Sequence, residues 1–394
     1  MSPVHGDVDV GFGPVHDRFV RNYEDYGEFG AATAAYVGGR KVVDLWGGTA
    51  NRGTGRLWEQ GTLALVFSSS KGVLTICALH LAETGALDLD APVVRYWPEF
   101  ASLGKQDILV RWLLSHRAGL ALLDEKLRFD DILSWSSMVR ALEKQEPNWP
   151  PNHAHAYHSL TFGWLVGEVI HRVSGLLPGE YFRAYIAEPL GLDSWIGVPE
   201  AAQERVALLE VAPESWSDPS VAAAIAASVA EDDRAVRANT LNGLIDLPIP
   251  GVSRSLGWNR PELHRAQVPA ANVITTARSL AKLYAAAVSE VDHHRVLSAA
   301  AVADAMVPQA EGAPLFGIAV SGSWQRWGTG FELPSLPGRP MLGPGSFGHH
   351  GAGGQLALGD VDAGVGFSFV TNTMGGAPDT RAQSLVDALR ECLV

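Results

Sequence analysis

The chain has 394 residues, 47% of them hydrophobic and 19% charged, with a formal net charge of −13. That supplies enough apolar side chain for a large core, and the length suggests two or three domain-sized units. The acidic balance argues against nucleic acid or an anionic membrane as the main partner, because both need a basic face.

Cys77 and Cys392 are the two cysteines, which give neither a disulfide framework nor a metal-binding cluster. The opening stretch MSPVHGDVDVGFGPVHDRF lacks a basic n-region and an apolar h-region. No run of about 18 apolar residues is present to span a bilayer. A cytoplasmic protein with no membrane partner is the expectation.

In chain order, AATAAYVGGRKVVDLWGG (31–48) reads as two strands joined at Gly38-Gly39, a two-residue hairpin signal. TLALVF (62–67) is a short apolar run, and SKGVLTICALHLAETGAL (70–87) has helical apolar spacing that stops near Gly85. The middle is mostly helical. DILVRWLLSHRAGL and LTFGWLVGEVIHRVSG each carry an apolar face, PGEYFRAYIAEPLGL starts at Pro178 and is closed by Pro189, and the Ala-rich 221–230 is a further helix. At the end, QLALGDVDAGVGFSFVTN (355–372) reads as a hairpin, and DTRAQSLVDALREC as a helix covering one sheet face. Strands at both ends with helices between them predict one sheet built from both termini. Residues 1–85 and 270–394 would form this α/β part, residues 86–269 a mainly helical part, with the active site in the cleft between.

VFSSSKGVL (66–74) sits at the junction of apolar run and helix. Ser68 and Lys71 are spaced i, i+3, so both side chains share one helix face. The positive end of the helix dipole favours an alkoxide and disfavours an ammonium. A serine hydroxyl is a weak nucleophile, and a desolvated lysine can serve as its base. The bare spacing is cheap, since Ser279 and Lys282 in SLAK repeat it well inside a helical pattern, where a serine hydroxyl bonds to the backbone. Ser68 therefore stands either as a nucleophile or as part of a serine-rich helix start.

Tyr157 in YHS precedes an apolar helix, where its phenol can move a proton or simply pack. His153, His155 and His158 lie close together, but no carboxylate at ligand spacing accompanies them, and no metal is expected. GSFGHHGAGG (345–354) crowds glycines around His349 and His350 before a strand, allowing close backbone approach and an N–H aimed at a ligand. The G-x-S-x-G elbow is only approximated, at Ser346 and Ser253, and neither lies between a strand and a helix.

Taken in order, Ser68-x-x-Lys71, Tyr157-x-Ser159 and His349-His350-Gly351 resemble the serine β-lactamase and penicillin-binding protein superfamily, within it the class C-like enzymes and family VIII carboxylesterases. The resemblance covers nearly the whole chain, and ILVRWLLSHRAGL, YFRAYIAEPLGLDSW and VITTARSLAKLY match in place. It implies the β-lactamase/transpeptidase-like α/β fold and a reaction without a cofactor. Ser68 would attack a carbonyl carbon and become acylated, with Lys71 and Tyr157 sharing the proton transfers. The N–H groups of Ser68 and Ala352 would hold the oxyanion, and Ser159, His349, His350 and Gly351 would line the substrate.

Two departures matter. The third motif has His349-His350 where Lys-Thr is usual, and the second ends in Ser159 where Asn is usual. Both remove polar anchors for an anionic β-lactam or peptide and point to a small carboxylic ester as substrate, with weak β-lactam hydrolysis alongside. An acyltransferase or amide hydrolase using the same acyl-enzyme is the alternative, and a non-catalytic binding module the remaining one. Trp46, Trp149, Trp324 and Trp327 are candidates for an apolar acyl or alcohol pocket, each equally readable as core. The loops 121–155 and 240–268 would set the choice of substrate.

Overall fold

The computed structural model describes residues 4–213, 218–246, 256–317, 324–376 and 379–393. Its centre is a nine-stranded sheet drawn from the two ends of the chain. The strands are β1 (Val4–Val8), β2 (Gly30–Val37), β3 (Arg40–Asn51), β4 (Arg56–Leu57), β5 (Arg326–Trp327), β6 (Glu332–Leu333), β7 (Ser346–His350), β8 (Leu356–Asp360) and β9 (Val365–Thr371). Their order is β1-β3-β2-β9-β8-β7-β6-β5, with β4 on β3, and every pairing is antiparallel.

Both hairpins follow from turn chemistry. Val37 pairs with Arg40 across Gly38 and Gly39, whose φ values of 55° and 81° suit glycine. Asp360 pairs with Val365, and Gly364 takes a φ of 62° in the turn.

Helices cover both faces, so the central strands are buried on both sides rather than alternating. Helices α1 (Gly13–Tyr26) and α5 (Arg381–Cys392) lie on one face, where Phe19 and Leu385 join Leu45, Phe367 and Phe369 in one core cluster. On the other face, α2 (Ser70–Glu83) and α4 (Ala277–Val288) belong to the larger core, with α3 (Thr161–Ser174) packed on α2. Small residues permit the closest contact: a Cβ on Gly366 would lie 2.3 Å from the Ala285 nitrogen and 2.4 Å from the Ala281 oxygen. Helix α2 is buried from Ser70 to Leu79, as expected of a helix apolar on all sides.

Between the ends, the described residues of 86–269 contribute helices and two short strands, Ser194–Ile196 and Glu210–Val211. The Ala-rich segment is helical over Pro219–Glu231. One expected helix is shorter than its apolar pattern. It covers Val110–Leu114 and ends before His116, which adopts a left-handed φ of 61°. The SLAK serine also differs from expectation. Ser279 lies in the first turn of α4, not deep within it, and its hydroxyl accepts the Asp193 N–H at 2.9 Å. Lys282 turns to the Leu190 carbonyl and to Asp292, so this second serine–lysine pair serves packing and capping. Among the described residues, no helix is long and apolar enough to cross a membrane.

Candidate active site

A tight 3-10 turn, Phe67–Ser69, leads into α2 and carries Ser68. Phe67 adopts a left-handed φ of 44°, costly for a bulky side chain, and its ring is held edge-on against Trp258 at 5.5 Å. The three serines then divide. Ser69 donates to the His349 carbonyl at 2.9 Å, and Ser70 accepts the Val273 N–H at 2.9 Å, both wholly buried. Ser68 alone remains partly accessible, and its hydroxyl lies 3.2 Å from Lys71 Nζ.

Lys71 is fully buried and, among the described residues, has no carboxylate partner; its amine also donates to the Ala270 carbonyl at 3.1 Å. Burial lowers its pKa well below the ordinary lysine value. The amine sits 4.8 Å from the centre of the Tyr157 ring. Burial raises the Tyr157 phenol well above the usual tyrosine value, and a hydrogen bond with Ser68 pulls the other way. The phenol is therefore protonated at neutral pH.

Tyr157 also reaches the third motif, with its hydroxyl 3.4 Å from His349 Nε2. His349 Nδ1 is 2.6 Å from the His350 carbonyl, which can only accept, so Nδ1 carries the proton and Nε2 accepts from Tyr157. Burial pushes the His349 imidazole down to about 3, against the pull of Glu332. The ring is thus neutral, and Trp327 packs beside it at 5.4 Å while stacking on Tyr157 at 5.3 Å.

His350 points elsewhere. Its ring and N–H both bond to Glu332 Oε2, at 2.9 and 3.1 Å, and Arg339 holds Oε1 at 2.5 Å. Burial opposes the Glu332 charge, but Arg339 and His350 outweigh it and hold the carboxyl well below the usual carboxylate range. Gly351 is where the third motif meets the turn that carries Ser68. A Cβ there would lie 2.4 Å from the Val66 carbonyl oxygen, so only glycine lets Ala352 follow at this distance. Ser159 is buried, and its hydroxyl donates to Asn239 Oδ1 at 2.6 Å.

The remaining candidates separate. His153 is exposed, and buried His158 accepts the Leu120 N–H while its other nitrogen bonds to the Ala156 carbonyl. Among the described residues no group of three His, Cys, Asp or Glu side chains is arranged to hold a metal ion. Trp327 stands at the site, and buried Trp149 packs on His158 and Phe316. Trp46 stacks on His5 at the first strands, and Trp324 is on the surface. Ser346 is buried and bonded to Asp360, whereas Ser253 lies outside the described residues, as does 247–255 of the loop 240–268.

Sequence reasoning missed four contributors: Glu332, Arg339, Asn239 and His116. His116 is fully buried, edge-on to Trp327 at 4.4 Å and 4.9 Å from the Tyr157 ring, and accepts the His158 N–H. Only its place in SHRAGL could have flagged it.

Comparison with known proteins places the chain in a family. Residues 16–390 match the family described as Beta-lactamase. The esterase/beta-lactamase LipL of Mycobacterium tuberculosis (strain ATCC 25618 / H37Rv) is 32% identical over 375 residues, covering 94% of this chain and 83% of that protein. A crystal structure of a family VIII carboxylesterase superposes with a TM-score of 0.86 at 30% identity, covering 99% of this chain and 100% of that one. A penicillin-binding protein homolog from Caulobacter crescentus gives 0.84 at 31% identity, covering 98% and 99%. The chain belongs to the beta-lactamase family.

Proposed function

We propose that this protein is a serine carboxylesterase that cleaves small carboxylic esters through an acyl-enzyme on Ser68. The observation that carries the proposal is a fully buried Lys71 amine, without a carboxylate partner among the described residues, 3.2 Å from the one partly accessible serine of the triplet. Burial favours the neutral Lys71 amine, which takes the Ser68 proton as Oγ bonds to the ester carbonyl carbon. The Ser68 and Ala352 N–H groups hold the negative oxygen. The ester C–O bond then breaks, and the departing alkoxide receives the proton from the Lys71 ammonium, directly or across the Tyr157 hydroxyl. Water repeats the sequence: its proton goes to Lys71, its oxygen bonds to the acyl carbon, and Ser68 leaves and is reprotonated.

Substrate preference follows from His349. An uncharged ring stands where a lysine would hold a substrate carboxylate, which favours neutral esters, and Trp327 adds apolar wall beside it. The names of the similar proteins, a carboxylesterase and an esterase/beta-lactamase, support the same reading. Within it, residues 1–85 with 270–394 act as one unit and 86–269 as the other, with Ser68 and His349 facing Tyr157 across the cleft. His350, Gly351 and Ser159 border the substrate. Both cysteines are free, which suits the reducing cytoplasm to which the proposal assigns the protein.

A panel of aryl esters of graded acyl length, run beside a chromogenic cephalosporin, tests the substrate class. Short neutral esters should turn over fastest, and His349→Lys should shift the ester-to-cephalosporin ratio of kcat/KM by about tenfold toward the anionic substrate. A wild-type preference for the cephalosporin would overturn the reading.

A further inference from the structure

The loop Gly351–Gly354 carries the Ala352 N–H, yet its own sequence offers nothing rigid: three of its four residues are glycine. Gly353 and Gly354 adopt left-handed φ values of 79° and 102°. An oxyanion donor works only if held in place before the charge develops. Two buried side chains outside the loop do the holding.

Gln355 is the first. Its backbone carbonyl accepts the Gly351 N–H at 2.9 Å, closing the loop. Its side chain is 1% exposed, and every polar atom on it is engaged. Nε2 donates to the Leu65 carbonyl at 3.2 Å and to the Thr371 carbonyl at 2.8 Å, and Oε1 accepts the Thr371 N–H at 2.9 Å. Leu65 lies three residues before Ser68, so one amide ties the strand feeding the nucleophile to the end of the oxyanion loop.

Arg381 is the second. It opens α5 and is wholly buried, as is its partner Glu28. Its Nη2 donates to the Gly353 carbonyl at 2.6 Å and to the Thr373 carbonyl at 2.9 Å. The other side of the guanidinium is fixed by Glu28 at 2.6 Å and by Asp379 at 3.0 Å. Glu28 also accepts the Thr371 hydroxyl at 2.6 Å, which joins the two devices into one network. A fully buried ion pair is a poor source of stability, because desolvation offsets the Coulombic gain. What this one supplies is a fixed point for a glycine loop.

We propose that Gln355 and Arg381 are positioning residues that set the Ala352 N–H against Ser68 for oxyanion binding. The proposal rests on the acyl-enzyme reading above. An oxyanion fault slows acylation and deacylation alike, so kcat falls while KM, a ratio of those steps, stays put.

Gln355→Met keeps the volume and removes the polar bonds, and Arg381→Lys keeps the charge beside Glu28 but loses the planar two-carbonyl grip. Each should lower kcat on an aryl ester by about 10- to 100-fold, less than the ~10²–10³ of losing a donor outright. KM should stay within about twofold, and inactivation by an aryl fluorophosphonate should slow in proportion to kcat. Phe19→Leu, in the core on the far face of the sheet, is the stability control: it should lower the thermal midpoint and leave kcat unchanged. Either positioning variant, folded at the assay temperature, with kcat within twofold of wild type would overturn the proposal. So would a fall in kcat matched by Phe19→Leu at equal loss of stability. Rapid labelling of wild-type Ser68 by the phosphonate keeps the acyl-enzyme reading intact in those cases. If Ser68→Ala retained turnover, that reading would fall with this one.

Discussion

Gly72 follows Lys71 in the buried helix α2, and its replacement by alanine should destabilise the protein despite the better helix propensity. In an exposed helix the change is worth about 1 kcal/mol in favour of alanine. Here the added Cβ would lie 1.9 Å from the Tyr284 hydroxyl oxygen and 3.0 Å from the ring carbon bearing it. Ordinary contact requires about 3.5 Å, so the phenol or the helix must move by about 1.5 Å. Tyr284 is fully buried beside Phe331 and Phe347, which leaves it no room to retreat. Overpacking of this kind costs about 1–3 kcal/mol, which outweighs the propensity gain. Gly72→Ala should therefore lower the urea midpoint at an unchanged m-value, and lower esterase activity as Lys71 shifts from Ser68. Among the described residues, the Tyr284 hydroxyl has no hydrogen-bond partner. Tyr284→Phe should then be neutral or mildly stabilising alone, and in the double variant it should recover about 1–2 kcal/mol of the loss. A Gly72→Ala protein as stable as wild type, or strictly additive effects in the double variant, would refute the argument from close approach.

Further outcomes follow from the buried ionisable groups. Burial depresses the Lys71 pKa in the folded state, so the unfolded chain binds the extra proton over the window from that pKa up to about 10.4. Across that window wild-type stability relative to Lys71→Met should rise with pH, read from urea midpoints, and a flat difference would contradict it. Within that window kcat/KM of the wild type should hold steady, and it should fall as pH drops through the folded pKa and Lys71 gains its proton. Glu332→Gln leaves Arg339 and His350 without their carboxylate and should cost about 3 kcal/mol at pH 7. The folded pKa of Glu332 is depressed, so its contribution is full above about pH 4.3 and is lost as pH falls below that. The gap between wild type and variant should narrow in acid, and a gap that widens would count against the ion-pair account.

What the sequence disclosed depended on the range of the interactions involved. The Gly38-Gly39 hairpin, the buried helix after the serines and the terminal helix rest on local rules of turn and periodicity. SLAK was recognisable as a scaffold segment from the resemblance of VITTARSLAKLY to a scaffold helix and not from its position, since Ser279 lies in the first turn of α4 directly after the short strand Val273–Thr275. The helix before His116 ran shorter than its pattern, since tertiary packing holds that ring at a left-handed backbone. Gln355, Arg381 and Glu28 carried no signal. Gln355 meets Leu65 across 290 positions and Arg381 meets Glu28 across 353, and no local spacing encodes such pairs. Glu332 was hidden differently: its partners are near in sequence, but they sit in an aperiodic Pro- and Gly-rich stretch.

The central claim is that Ser68 is the acylated residue. Incubation with an aryl fluorophosphonate, followed by intact-mass measurement and peptide mapping, tests it most directly. One adduct on Ser68, absent from Ser68→Ala and accompanied by complete loss of aryl-ester turnover, is the expected result. An adduct on another serine, or turnover surviving in Ser68→Ala, would contradict it.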